Sequence, residues 1–323
     1  MTDIIDLENI NATQLGLGEC LQRRRAALAT ANTDLANAMT VDVEDYFQVS
    51  AFEPHIDRSH WEKYPCRIER NTEAILELFD QHDATATFFT LGWIAKHYPK
   101  LIRRIVDHGH ELASHGFSHE RVQNQSTDTF RDDVKRTKCI LEDIGGVAVK
   151  GYRAASFSIG RETLWAFDVL AEEGYRYSSS VYPIRHDHYG MPEAPRFAFR
   201  PIPGNPFIEV PITSLSVWGK NLPCGGGGYF RLLPYAVFRW ALHHVNRAEA
   251  APCIFYFHPW EIDPDQPRIA GASLKTRFRH YHNLDRMRDR IAAMLQDFRW
   301  KRMDEIFLEN EDEIVLENAQ EAG

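Results

Sequence analysis

Three acids fall within four residues of this chain: Asp42, Glu44 and Asp45, in the run Thr40-Val-Asp-Val-Glu-Asp-Tyr-Phe47. On an extended strand, side chains at i and i+2 share a face, so Asp42 and Glu44 point the same way. Two carboxylates brought together repel, and burying them is costly unless a cation or a proton lies between them. A chemical centre is the economical explanation, and a polar turn closing a strand is the bland one. Farther along, His115 and His119 stand four apart. A helical turn between them would put both rings on one side, within reach of one ion. Imidazole suits zinc and other borderline metals, and two histidines with one carboxylate leave positions open for water and substrate. The intervening Gly116-Phe117-Ser118 carries no glutamate base, so this is not the HExxH arrangement. The base must come from elsewhere, and Asp42 is the obvious supply. His258 closes the apolar run 253–257 and precedes Pro259-Trp260-Glu261. It is either a structural histidine satisfied by a carbonyl or, near neutral pH, a proton donor to a leaving group. Arg153 is either a routine ion-pair partner or a brace for a carboxylate base.

Elements must position these groups. Apolar spacing predicts helices over 70–82, 93–108 (with Pro99 marking a start or a kink), 130–144, 161–173, 232–246 and 284–298. Strands are expected over 84–90, 110–114, 149–153, 208–212 and 253–257. The alternation argues α/β. Asp42, His115, Arg153 and His258 would then sit at the C-terminal ends of strands, where barrels of this class gather catalytic groups and open sheets bind ligands. The glycine run 225–228 is expected to be a turn or loop, because four glycines sacrifice too much entropy inside an element. It lacks the Lys-Ser/Thr of a phosphate-binding loop. Residues 1–38 read as an extension with helix formers over 17–32, and 306–323 as a tail.

With 323 residues the chain can bury a substantial core. A net charge of -9 gives no reason to expect nucleic acid. No apolar run is long enough to span a membrane. The acidic start, Met1-Thr-Asp-Ile-Ile-Asp-Leu-Glu8, lacks an apolar signal core, which points to a cytoplasmic location. Five scattered cysteines, none in CxxC spacing, read as free thiols.

Taken in order, the acidic strand motif, Ser114-His115-Gly-Phe-Ser-His119, Gly151-Tyr-Arg153-Ala-Ala-Ser-Phe157 and Phe257-His258-Pro259 resemble the NodB-type polysaccharide deacetylases, the carbohydrate esterase 4 group. Thr40–Phe47, Ser179-Ser-Val-Tyr-Pro-Ile-Arg-His-Asp187 and Arg277-Phe-Arg-His-Tyr281 resemble, more narrowly, the subfamily of exopolysaccharide and PEP-CTERM/exosortase loci. The resemblance implies a distorted (β/α)7 barrel over residues 39–305. It implies removal of N-acetyl groups from amino sugars of a polysaccharide or its oligosaccharide precursor, using a divalent metal, with Zn2+ the leading choice. By the same resemblance Asp42 is the base, Arg153 its brace, His258 the acid, and His115 and His119 metal ligands. The third ligand is Glu44 or Asp45. Many members have adjacent aspartates, whereas here Val43 intervenes. The shared face favours Glu44, while a strand ended by residue 43 would let Asp45 swing in. The family's aspartate that orients the acid is missing from Tyr177-Ser178-Ser-Ser, leaving Asp187, Asp263, a serine or a backbone group. Trp61, Tyr182, Trp218, Tyr229 and Trp260 are candidates to stack on sugar faces. The rival readings are a metal-independent C–N hydrolase of a small amide or ureide, and a catalytically silent sugar-binding component of a synthesis assembly.

Overall fold

The computed structural model describes residues 35–186 and 189–308. The helix expected over 17–32, Asp187 and most of the expected tail therefore lie outside the described residues. The strands are β1 Asn37–Val43, β2 Thr87–Thr90, β3 Glu111–Ser114, β4 Gly151–Tyr152, β5 Tyr177–Ser178, β6 Ile208–Glu209, β7 Ser214–Val217, β8 Lys220–Pro223, β9 Ile254–Phe257 and β10 Trp300–Lys301. The helices are α1 Ile68–Gln81, α2 Gly92–His97, α3 Pro99–Asp107, α4 Thr127–Gly145, α5 Trp165–Glu172, α6 Gly227–Leu232, α7 Tyr235–Ala248, α8 Leu274–Tyr281, α9 Met287–Asp297 and α10 Met303–Phe307. Eight strands form one parallel sheet in the order β10-β1-β2-β3-β4-β5-β6, with β9 also pairing β1; β7 and β8 make a separate antiparallel hairpin. The sheet curls into a half-barrel covered by helices.

The strand that carries the acids is buried at every position, as a central parallel strand must be. Its two faces differ. Met39, Val41 and Val43 join the main core beneath the helices, together with Phe88, Leu112, Phe255 and Phe257. Ala38 faces the barrel interior with Phe89, Ala113, Ile254 and Tyr256. The period of two then sends Thr40 and Asp42 to the same interior. Asp42 lies opposite Phe89 in the β1–β2 register. A third cluster packs Tyr46, Phe47, Phe52 and Trp61 of the irregular stretch after β1 against Trp260, which follows β9.

Chain punctuation follows ordinary chemistry. Ser126 caps α4 by accepting from the Thr129 N–H, and Gly146 ends it in the left-handed region at φ 68°. Pro99 splits the helix expected over 93–108 into α2 and α3, because it cannot donate the hydrogen bond that would continue the first. Two expectations are corrected. The glycine run is not wholly loop: Gly226 caps α6, and Gly227 and Gly228 open it. The 115–119 segment is no helical turn; Gly116 and His119 both take positive φ, 73° and 53°, and fold the chain back instead. No helix among the described residues is long and apolar enough to cross a membrane.

Candidate active site

Asp42, His115, Arg153 and His258 all stand at the C-terminal ends of parallel strands, in or directly after β1, β3, β4 and β9. Below them, Arg153 is sealed from solvent. Removing an ion from water costs roughly several kcal/mol unless its hydrogen bonds are replaced. Here they are. Nη1 donates to Asp42 Oδ1 at 2.6 Å and Thr40 Oγ1 at 2.8 Å, while Nε and Nη2 donate to the carbonyl and hydroxyl of Ser179, each at 3.0 Å. The Phe89 ring packs 4.0 Å beneath the guanidinium. Asp42 is thereby fixed through one oxygen, and its other oxygen lies 3.9 Å from His258 Nε2.

β1 ends at Val43, yet Glu44 stays in the site. Its N–H donates to the Asp42 carbonyl at 2.9 Å, a tight turn that keeps the two side chains together. Glu44 Oε2 lies 3.0 Å from His119 Nε2, and Oε1 lies 3.3 Å from His258 Nε2. Ligand atoms of Glu44, His115 and His119 all lie within 4.8 Å of one another, and all three residues are buried. Three observations fit a cation there. Glu44 Oε2 is buried without a hydrogen-bond donor. Burial pushes Glu44 up to about 8, the response of a carboxylate lacking an adequate counter-charge. Burial likewise holds His115 below its usual value and His119 well below it, which favours neutral rings with free lone pairs. His115 Nδ1 lies 2.8 Å from the Arg153 carbonyl, so Nδ1–H is the donor and Nε2 is left to ligate.

Asp45 is not brought to this cluster. Oδ1 accepts from the Tyr46 N–H and Oδ2 from the Arg67 N–H, which commits it to the outer wall. The turn at Asp42–Glu44 sends consecutive side chains to opposite sides, and only Glu44 goes inward. Asp263 is also spoken for: Arg67, Arg70 and Asn71 all donate to its carboxylate.

The group that meets His258 is Glu261, a residue to which the sequence reading assigned no role. Its Oε1 accepts from His258 Nδ1 at 2.8 Å and from the His258 N–H at 3.1 Å. The spacing His258-Pro-Trp-Glu261, a tight turn with an acid three residues on, was the available signal. Arg231 Nε donates to Glu261 Oε2 at 2.7 Å. Burial acts to lower His258, but the hydrogen bond that Glu261 accepts from it and the charges of Glu44, Glu261 and Asp42 outweigh it and raise the ring to about 9. Burial acts to raise Glu261, and Arg231 and His258 reverse that, holding it below the usual range.

These groups floor a cleft of about 500 Å³, within the span of small-ligand sites. Ser273, Lys275, Thr276 and Arg279 of the α8 segment form one wall. Of the aromatic candidates Trp260 lines the cleft, with Phe157, Tyr189 and Tyr256 beside it. Trp61 and Tyr182 are buried in the core, and Trp218 is fully exposed between β7 and β8.

Residues 60–178 match the family described as polysaccharide deacetylase, and residues 179–308 match a domain of unknown function, DUF3473. The chain is similar to a peptidoglycan-N-acetylglucosamine deacetylase of Bacillus cereus, 35% identical over 82 residues, 25% of this chain and 30% of that one. It is also similar to a chitooligosaccharide deacetylase of Azorhizobium caulinodans, 33% identical over 84 residues, 26% of this chain and 40% of that one. The match thus spans well under half the length of these curated relatives. A crystal structure of a candidate polysaccharide deacetylase from Mycobacterium smegmatis shares the fold, with a TM-score of 0.55 at 20% identity over 85% of this chain and 93% of that one. His115, His119 and Arg153 fall in the first matched stretch, Arg231, His258 and Glu261 in the second. With the two matches running end to end over residues 60–308, the chain carries a polysaccharide deacetylase domain, the NodB-type domain of carbohydrate esterase family 4, followed by DUF3473.

Proposed function

We propose that this protein hydrolyses the N-acetyl group of an amino sugar within a polysaccharide or its oligosaccharide precursor. The observation that carries the reading is the convergence of Asp42, Glu44, His115, His119 and His258 on one cleft. Glu44, His115 and His119 would hold a divalent ion, Zn2+ by the preference of imidazole, and such an ion would supply an acidified water and a polarised acetamide carbonyl. Asp42 takes the proton of the attacking water, while Arg153 keeps its carboxylate aimed. The water oxygen bonds to the acetyl carbon. As the C–N bond breaks, His258 delivers its Nε2 proton to the nitrogen, so acetate and a free amine leave together. Glu261, fixed on Nδ1, leaves Nε2 as the nitrogen that faces the reacting groups.

The bare Oε2 of Glu44 favours this reading over metal-free hydrolysis on the same scaffold. The thiols of Cys66, Cys139, Cys224 and Cys253 are unpaired, which supports a reducing, cytoplasmic setting. The test is acetate release from N-acetylglucosamine oligomers, with metal content measured in parallel. Asp42→Asn is expected to abolish release while keeping the metal, and an Asp42→Asn protein with full activity would overturn the assignment of the base.

A further inference from the structure

We infer that Arg231 and Glu261 are positioning residues that aim His258, that Gly227 leaves the room the Glu261 carboxylate needs, and that Arg231 ties the proton donor to the α8 wall of the cleft. This rests on the deacetylase reading above.

Every nitrogen of the Arg231 guanidinium is engaged. Nε holds Glu261 Oε2 at 2.7 Å. Nη1 donates to the carbonyls of His280 at 3.0 Å and His282 at 2.6 Å, and Nη2 to that of Arg279 at 3.1 Å. Those carbonyls belong to the last turn of α8, whose end leaves carbonyls without partners inside the helix. Side chains of the same helix, among them Lys275, Thr276 and Arg279, line the cleft. One buried cation therefore sets both the seat of Glu261 and the position of a substrate-facing wall. Glu261 in turn receives His258 through ring and backbone on a single oxygen, so the ring can neither rotate about its axis nor change tautomer without breaking a bond.

Gly226 and Gly227 are explained by space rather than by conformational freedom, since neither takes a positive φ and Gly226 has an ordinary φ of -123°. A Cβ on Gly227 would lie 2.3 Å from Glu261 Oε1, and one on Gly226 would lie 2.6 Å from the Tyr256 ring. Any side chain at 227 would displace the carboxylate that holds the histidine. A buried ion pair by itself is a poor stabiliser compared with apolar packing. An alignment role accounts for keeping it.

The test exploits leaving groups. An amine must be protonated to leave, whereas 4-nitrophenolate need not be. Glu261→Gln keeps the shape of the side chain but cannot hold the histidine proton as a carboxylate does. It is expected to lower kcat on an N-acetylglucosamine oligomer about 100-fold, with 4-nitrophenyl acetate hydrolysis within about threefold of wild type and zinc content unchanged. Arg231→Lys should show the same split and a raised KM for the oligomer, because the wall moves too. Glu261→Asp should recover part of the loss. Glu261→Gln that leaves both substrates untouched, or that loses both in equal measure, overturns the inference. Should Arg231→Lys not fold, Glu261→Gln decides alone. A wild-type protein that cleaves the ester but frees no acetate from the oligomer overturns the deacetylase reading instead.

Discussion

Glu44 and Glu111 are chemically identical, and both are buried in the same half-barrel, one at its C-terminal mouth and one at its base. Burial raises both, Glu44 to about 8 and Glu111 to about 7. Their surroundings differ. Glu111 Oε1 accepts from the Tyr177 hydroxyl at 2.9 Å, and Oε2 from the Thr87 hydroxyl at 2.6 Å and the Asp304 N–H at 3.1 Å. Glu44 Oε2 has no donor and faces an imidazole nitrogen across 3.0 Å. A satisfied buried carboxylate fastens elements together, here β2, β3, β5 and α10. An unsatisfied one beside two histidines is a set that could hold a cation. The cost is energetic: a buried polar atom left without a partner costs about 1–3 kcal/mol, so such an atom beside two histidines is the one to examine for a ligand role.

The widest separation should come from mutating each glutamate. Glu44→Gln is expected to abolish metal retention and to reduce acetate release by more than about 100-fold, with thermal stability of the metal-free protein unchanged or raised. Glu111→Ala should do the reverse, costing about 1–3 kcal/mol by urea unfolding as Tyr177, Thr87 and Asp304 lose their acceptor. Its folded fraction should keep wild-type kcat. A Glu111→Ala protein that is stable but inactive would erase the distinction.

Metal removal gives the next largest effect. Chelation should stop acetate release and readdition of zinc restore it. Zinc at 100 times its Kd should raise stability by about 2.7 kcal/mol if it binds the folded state alone. That gain should persist in Glu111→Ala and vanish in Glu44→Gln, read as a zinc-dependent change in Tm.

The smallest effect is in pH dependence at the barrel base. Glu111 titrates at about 7 in the fold against 4.5 ordinarily, so its favourable contribution is complete below about 4.5 and is lost as pH rises through 7. Neighbouring His110 has the opposite sign. Burial first, then the charge of His108, lowers it from 6.5 to about 4, so its contribution is present above 6.5 and is lost as pH falls through 4. The two partly cancel in wild type. Glu111→Gln removes the first, so wild type should lose stability relative to the variant between about pH 5 and pH 7. Equal differences at both values would show that Glu111 does not titrate in this range.

The site residues were unequally legible. Asp42, His115, Arg153 and His258 could be found because each closes a short β-branched or apolar run, and strand ends in α/β folds converge. Of five aromatic candidates Trp260 lines the cleft, but ring type does not reveal whether a ring lies in the core, as Trp61 does, or in open solvent, as Trp218 does. Arg231 and Glu261 passed unassigned. Arg231 sits after a glycine run that looked like loop, and nothing local says that its partner lies 30 residues away.

By itself, the sequence determined the strand–helix alternation, the interior face of β1 through its period of two, and the chain order in which Asp42, His115, His119, Arg153 and His258 arrive at strand ends. Those are local properties, set by side-chain periodicity and by which residues tolerate strand ends. Only the tertiary structure brings Glu44 rather than Asp45 to the histidines, because that depends on the turn after Val43 and on the Arg67 N–H that captures Asp45. It likewise decided for Glu261 over Asp263, because Arg67, Arg70 and Asn71 bind one carboxylate and Arg231 and His258 the other. Competition among buried donors for a few carboxylates is resolved by distance in three dimensions, and one-dimensional spacing does not encode that distance.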